Sequence, residues 1–474
     1  MRKTAVILVD GLDPQVLQTN LAKLPSIKGL IEQGEFCRLN SVFPPDSIPA
    51  WTTIYTGLNP GEHGIFESFD YLQLKRQNIS YDTNVIRGNT FWDKISRQGY
   101  RVGIFNPFLA YPSWEVNGFM LSGPIFESGA ASSNRPDLLA RHSIPSLGAV
   151  VDFPDRATLK EFLADAMELT RRQNQLALKL FREEKCDFFF YGSLTLDRIK
   201  HFYWKFTDPT DPKYPGPNPF QDAVLNIYRE IDRLIGDWRR IAGDEYCLIL
   251  MSDHGHQRRA PKTFNLNEWL RRHGYIQGKR NYKALVEMAK NIALDIFDKL
   301  DITELALRYA KKIPGAKQLK SSDFVLKKDK TIYVPRFAGM NPYGGIVINQ
   351  EKFNEEEYRR LVAGLIGKLA EVRDPKTKER IIEWVGEREE IYHGRNSGKF
   401  PQVVFKLNDD YGVNRSLYTR GITGNNPFHS NLSGGHRKYG TFIVSEKVKG
   451  LPADKTINIE GVHDLILKMF FQTD

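Results

Sequence analysis

The sequence predicts an α/β protein in three layers, with a mostly parallel central sheet covered by helices on both faces and a helical insertion. Two observations carry this. Short runs of β-branched, aliphatic and aromatic residues recur at residues 4–9, 101–105 and 187–191 and at Tyr246–Met251. They are continuous rather than alternating, the pattern of strands buried on both faces. Long stretches of helical periodicity lie between them, at Leu159–Glu184 and residues 220–241. Alternation of this kind favours parallel strands joined by helical crossovers.

Taken in order, the first run ends in Asp10-Gly11, so a carboxylate emerges at the carboxyl edge of a strand, where open α/β sheets collect their ligands. Residues 44–65 read PPDSIPAWTTIYTGLNPGEHGI. Ser47 there reads as the N-cap of a helix beginning near Pro49. Residues 106–156 show little periodicity and read as a loop, as does TDPTDPKYPGPN at 207–218. Residues 193–197 and Asp253 again place polar groups just past apolar runs. From about 275 to 330 the chain turns helical and lysine-rich, and strand-like runs return at 331–334 and 344–348. This divides the chain into a catalytic core of 1–274 and 331–474 and an insertion or cap at 275–330. The insertion's basic amphipathic face is expected to pack on the main domain rather than to bind a membrane.

With 474 residues and 41% hydrophobic content, the chain has material for a large core. The net charge of +10 suits an anionic substrate, but 67 basic and 57 acidic residues are spread along the sequence, so no specific nucleic-acid partner follows. No run is long and apolar enough for a transmembrane segment, and the apolar part of the N-terminus is too short for a signal peptide. A cytoplasmic location is therefore expected. Cys37, Cys186 and Cys247 are odd in number and widely separated, which argues against a disulfide framework or a cysteine zinc site.

Five local patterns combine Asp, His and Ser: Asp10-Gly11, Asp46-Ser47, Asp197-Arg-Ile-Lys-His201, Asp253-His254-Gly255-His256 and Gly435-His436-Arg437. Asp197 and His201, four residues apart, share a helix face and can grip one ion. Asp253 and His254 put two ligand-type side chains on a turn at a strand end. Together the groups supply three Asp, three His and one Ser, enough for two divalent ions about 3.5–4 Å apart with an oxygen nucleophile at one of them. Mixed nitrogen and oxygen donors suit zinc first and manganese second. His256 is kept as a substrate or outer contact. His63, His142, His273, His393, His429 and His463 lack local ligand partners and are expected to be surface or structural.

In this order, Asp-Gly after the first strand, a Pro-x-x-Ser-x-Pro segment leading into TGLNPGEHGI, D-x3-H, SDHGH and G-G-H-R-x-x-G resemble the alkaline phosphatase superfamily. They resemble specifically its type I phosphodiesterase/nucleotide pyrophosphatase branch, over nearly the whole chain. The resemblance implies an alkaline-phosphatase-like fold. Asp197, His201 and His436 would hold one metal, Asp10, Asp253 and His254 the other, with Ser47 the nucleophile at the second. Metal coordination would lower the pKa of the Ser47 hydroxyl, and attack on phosphorus would give a phosphoseryl intermediate. That branch usually carries threonine where Ser47 stands, and an asparagine where this chain has Glu67-Ser68, so its phosphoryl contact would fall to Ser68 or to another residue.

The expected substrate is a small anionic phosphoester, a phosphodiester or a nucleotide pyrophosphate. Trp51 and Ser68 are candidate substrate contacts, although an aromatic at the spacing of Trp51 more often belongs to a core, and Arg198, Lys200 and Arg437 adjoin metal ligands where they can neutralise a second phosphate or steer any anion. A phosphomonoesterase or phosphomutase of the same superfamily is the enzymatic alternative. A non-catalytic phosphate-ligand-binding protein is the alternative of another class.

Overall fold

In the computed structural model, the described residues are all but 66–82, 125–128, 148–153, 301, 303–305, 307–308, 310–330, 336–341, 425–428, 430–431 and 473–474. The chain folds as two compact units, Met1–Gln257 with His436–Asp474, and Arg258–Gly435.

The first unit is built on nine strands: β1 (Lys3–Val9), β2 (Glu35–Asn40), β3 (Val102–Phe105), β4 (Gly118–Ser122), β5 (Ser132–Ser133), β6 (Phe188–Ser193), β7 (Tyr246–Met251), β8 (Tyr439–Val444) and β9 (Thr456–Asn458). Their order across the sheet is β9-β2-β8-β7-β1-β6-β3-β4-β5. β1 pairs in parallel with β6 and β7, β3 with β6 and β4, and β9 with β2. Only β8 and the two-residue β5 run antiparallel to their neighbours. β1 lies near the middle, so the carboxyl ends of β7, β1 and β6 come together side by side.

The strands are apolar on both faces because both are covered. In β6, Phe190 meets Trp51, Tyr55, Phe91 and Trp92 on one side, while Phe189 meets Phe181 and Trp238 on the other. This is the two-residue alternation of a pleated strand with both faces buried. Helices Ser47–Thr56, Phe91–Arg97 and Val462–Phe471 supply the first layer. Leu159–Glu184 and Ala223–Ala242 bring Phe181 and Trp238 to the second.

The expected strands and long helices are present with ends moved by at most three residues; Leu159–Glu184 and Tyr246–Met251 match throughout. The loop expected over 106–156 is corrected: β4, β5 and the helix Pro136–Arg141 lie within it. GFMLS lacks β-branched residues, β5 is two serines, and the helix is six residues long, so none carries a strand-like or helical pattern. The expected N-cap is also corrected, since Asp46 caps the helix by accepting from the Ile48 amide at 3.1 Å and Ser47 is its first residue.

The second unit has its own core. An antiparallel sheet in the order Ile332–Tyr333, Tyr343–Ile348, Val403–Leu407, Ile382–Glu387 is packed by helix Glu355–Ala370 through Val362, Leu365 and Leu369. The expected insertion, 275–330, begins inside this unit. Its described part is mainly the helix Tyr282–Lys299.

Candidate metal and phosphate site

Three strand ends position the site. Asp10 follows β1, and its amide donates to the carbonyl of Ser193 at the end of β6, at 2.8 Å. Helix Thr195–Thr207 starts just past β6 and carries Asp197 and His201 one turn apart on its buried face. Asp253 and His254 follow β7. His436 stands on the chain entering β8, which runs opposite to β7 and so delivers it to the same end of the sheet.

Gly11 explains why a glycine follows Asp10. Its φ is +70°, and an added Cβ would lie 3.3 Å from both Cβ and Oδ1 of Asp197. A side chain there would be strained and would press on the neighbouring carboxylate. The Gly11 amide instead donates to Asp253 Oδ1 at 3.1 Å, tying the β1 and β7 turns together.

The side chains form two groups of converging donor atoms, Asp10, Asp253 and His254 in one and Asp197, His201, His256 and His436 in the other. In the first, His254 Nε2 lies 3.2 Å from Asp253 Oδ2 and 3.5 Å from Asp10 Oδ1. Ser47 Oγ joins this group, 3.2 Å from Asp10 Oδ1 and 3.1 Å from His254 Nε2. In the second, Asp197 Oδ2 is 3.2 Å from His201 Nε2, and Asp197 Oδ1 is 3.4 Å from Nε2 of both His256 and His436. The groups are neighbours, with the His254 and His436 rings stacked 4.0 Å apart.

These spacings suit metal ligation. Zinc–ligand bonds of about 2.0–2.1 Å in a tetrahedron put neighbouring donor atoms about 3.3 Å apart. The tautomers agree as well. His254 Nδ1 meets the Gly255 carbonyl and His436 Nδ1 the Pro45 carbonyl, each at 2.9 Å. With Nδ1–H donating to these carbonyls, Nε2 is left to face the cluster, the arrangement common to metal-bound histidines. Asp197 Oδ1, Asp253 Oδ2 and both ring nitrogens of His256 are buried without a hydrogen-bond partner among the described residues.

The electrostatics point the same way. Burial, then the nearby charges of Asp253 and Asp197, holds Asp10 well above the usual carboxylate range. Burial foremost pushes Asp253 up to about 7. Burial opposes charge at Asp197 and His436 too, but the two groups offset it. His201 and His436 hold Asp197 low, and Asp197 pushes His436 up to about 9. Burial keeps His254 and His256 neutral. Crowded carboxylates that resist ionising and neutral imidazoles beside them are what a bound cation relieves.

The sequence-predicted residues are thus brought together, with differences. His256, expected outside the ligand set, lies among the donor atoms. Trp51 is corrected: it is fully buried, edge-on to Tyr55, Phe108 and Phe190 in the core, and has no face to offer a substrate. Lys200 is corrected likewise; it is fully buried and donates to the Gly11 carbonyl at 2.9 Å and to the Tyr228 hydroxyl at 2.8 Å. Arg198 stacks on Phe202, and Arg437 donates to Gln15. Ser68 lies outside the described residues. Sequence reasoning missed Asp13 and Ser252. Asp13 Oδ1 caps helix Pro14–Thr19 while its Oδ2 accepts from the His256 amide at 3.1 Å. Ser252 Oγ accepts from Leu12 N at 2.8 Å and donates to the His254 carbonyl at 2.6 Å. Asp13 before Pro14 carries a helix-start signal; Ser252 carries none beyond its place in SDH.

The model of one family, described as type I phosphodiesterase / nucleotide pyrophosphatase, matches residues 4–426. Among curated proteins, ectonucleotide pyrophosphatase/phosphodiesterase family member 1 from Homo sapiens is 22% identical over 280 residues, 56% of this chain and 25% of that protein. Its Mus musculus counterpart is 21% identical over the same length. The chain spans about a quarter of the length of these relatives. Among solved structures, phosphonoacetate hydrolase from Sinorhizobium meliloti 1021, in complex with phosphonoformate, gives a TM-score of 0.54 at 13% identity, covering 99% of this chain and 96% of that one. That likeness is one of fold. Matched by the family model over most of its length, the chain belongs to the type I phosphodiesterase/nucleotide pyrophosphatase family.

Proposed function

We propose that the protein is a two-metal phosphohydrolase that cleaves a phosphodiester or nucleotide pyrophosphate bond through Ser47. The observation that carries this is the placing of Ser47 Oγ within 3.2 Å of both Asp10 Oδ1 and His254 Nε2, beside a second group of four donors. Asp10, Asp253, His254 and Ser47 would hold one ion, and Asp197, His201 and His436 the other. Bound divalent ions, zinc first and manganese second by donor type, would supply charge neutralisation and a lowered pKa for a coordinated hydroxyl.

The chain's own residues set the rest. Asp46 caps the helix, which orients Ser47 at its N-terminus, where the positive end of the helix dipole favours phosphate charge. The Ser47 oxygen bonds to phosphorus as the bond to the leaving oxygen breaks, and the leaving group takes a proton. Water then cleaves the phosphoseryl ester and returns a proton to Ser47. Arg437 and Arg198, both near His436 or Asp197 in the chain, remain the candidates for a second phosphate. Three buried free thiols, Cys37, Cys186 and Cys247, support a reducing, cytoplasmic setting. Among the described residues no helix is long and apolar enough to cross a membrane.

The test is the hydrolysis rate of a nitrophenyl phosphodiester, phosphomonoester and sulfate by metal-stripped protein with zinc or manganese added back. Metal-dependent turnover dominated by the diester is expected. Monoester-dominated turnover would move the protein to the phosphatases, and no turnover with either metal would leave a phosphate-ligand-binding protein.

A further inference from the structure

We propose that His256 is a fourth protein ligand to the ion held by Asp197, His201 and His436, an inference that rests on the two-metal reading above. The family resemblance implies only the other three. His256 Nε2 lies 3.4 Å from Asp197 Oδ1, the same distance as His436 Nε2 from that oxygen. Its ring centroid is 4.7 Å from that of His201. The residue is 1% exposed, and neither ring nitrogen has a hydrogen-bond partner among the described residues. A buried polar group left unmatched is destabilising, so an imidazole held this way needs a partner. Among the described residues, its donor atom converges with those of Asp197, His201 and His436.

The surroundings fix His256 in this pose. Trp204 stacks along the ring, 5.7 Å between centroids and 22° between planes. Asp13 Oδ2 accepts from the His256 amide at 3.1 Å. Gly255 lets the backbone pass, because a Cβ there would stand 2.1 Å from the Tyr439 carbonyl oxygen and 2.6 Å from Asp13 Oδ2. A role limited to orienting Asp197 would require a hydrogen bond from His256, and the structure has none.

Three imidazoles and one carboxylate would fill a four-ligand zinc site that three residues would leave open, so a water or phosphate oxygen would have to enter as a fifth ligand. Donor type separates the two ions: three imidazoles suit zinc better than the one imidazole, two carboxylates and serine of the other group, so this ion would be the more tightly held and the ion beside Ser47 the first lost to a chelator.

Two measurements test the inference. In a crystal structure of the zinc-loaded wild type, a His256 ring nitrogen about 2.0–2.1 Å from the ion is expected; that nitrogen turned away from the ion overturns it. In solution, His256→Gln keeps a group able to hydrogen-bond Asp197 but removes the imidazole. The visible absorption of the cobalt-loaded protein is expected to change, and affinity for the tighter zinc to fall by more than about 100-fold, beyond the usual cost of losing an orienting partner. An unchanged cobalt spectrum, with both ions still bound, overturns the His256 inference and leaves the two-metal reading standing. Wild-type protein that takes up no ion overturns both.

Discussion

The Ser47 hydroxyl lies 3.1 Å from His254 Nε2, and the other nitrogen of that ring is held by the Gly255 carbonyl at 2.9 Å. Nε2 therefore carries no proton and faces Ser47 as an acceptor. This geometry suits a hydroxyl that shares an ion with its neighbours, and Ser47→Ala separates the nucleophile from the ligand set. The variant should lose turnover by about 10³-fold or more while keeping two ions per chain by elemental analysis, because Asp10, Asp253 and His254 remain. Retained turnover would remove Ser47 from the reaction.

Zinc binding should release protons. Burial pushes metal-free Asp253 up to about 7 and Asp197 pushes His436 up to about 9, so at neutral pH His436 holds a proton and Asp253 about half of one, and a metal must displace both. Zinc affinity should therefore rise as pH climbs from 6 through 9. Calorimetry in two buffers of different ionisation enthalpy measures the release, and a heat independent of buffer contradicts it.

Trp51 should govern stability rather than substrate affinity. It is fully buried and edge-on to three aromatic rings, so Trp51→Ala should cost about 3–5 kcal/mol in chemical unfolding. The gentler Trp51→Phe should leave KM unchanged. A raised KM with undiminished stability would return Trp51 to the substrate site.

His63 should make the fold acid-sensitive. It accepts from the Ile65 amide at 3.1 Å, meets Thr53 Oγ1 at 3.0 Å, and burial pushes its imidazole down to about 3 from 6.5. The native state holds it neutral, so its contribution is full above pH 6.5 and is lost as pH falls from 6.5 towards 3, an effect of up to about 5 kcal/mol. The stability gap between wild type and His63→Gln should narrow over that window in unfolding titrations. A gap that does not change with pH would place the acid sensitivity elsewhere.

Much of this was legible in the sequence because it is local. Apolar runs that end in Asp10 or in Asp253-His254 announce both a buried strand and the polar group at its end. The four-residue spacing of Asp197 and His201 follows from helix geometry alone. The short β4 and β5 were not legible, because GFMLS holds only three apolar residues, none β-branched, between a glycine and a serine, and β5 is two serines.

What the sequence by itself determined was the kind of residue at each strand end, and so the donor set and its chemistry. Which donors meet was decided by the tertiary structure, because the pairing of β1 with β6 and β7, and of β7 with the antiparallel β8, brings together residues as far apart as Asp10 and His436. The same packing turned Trp51 and Lys200 inward and drew His256 among the ligands. A side chain's facing depends on what covers its element, and for these three the covering residues come from distant parts of the chain: Phe190 over Trp51, Gly11 and Tyr228 at Lys200, Asp13 beneath His256.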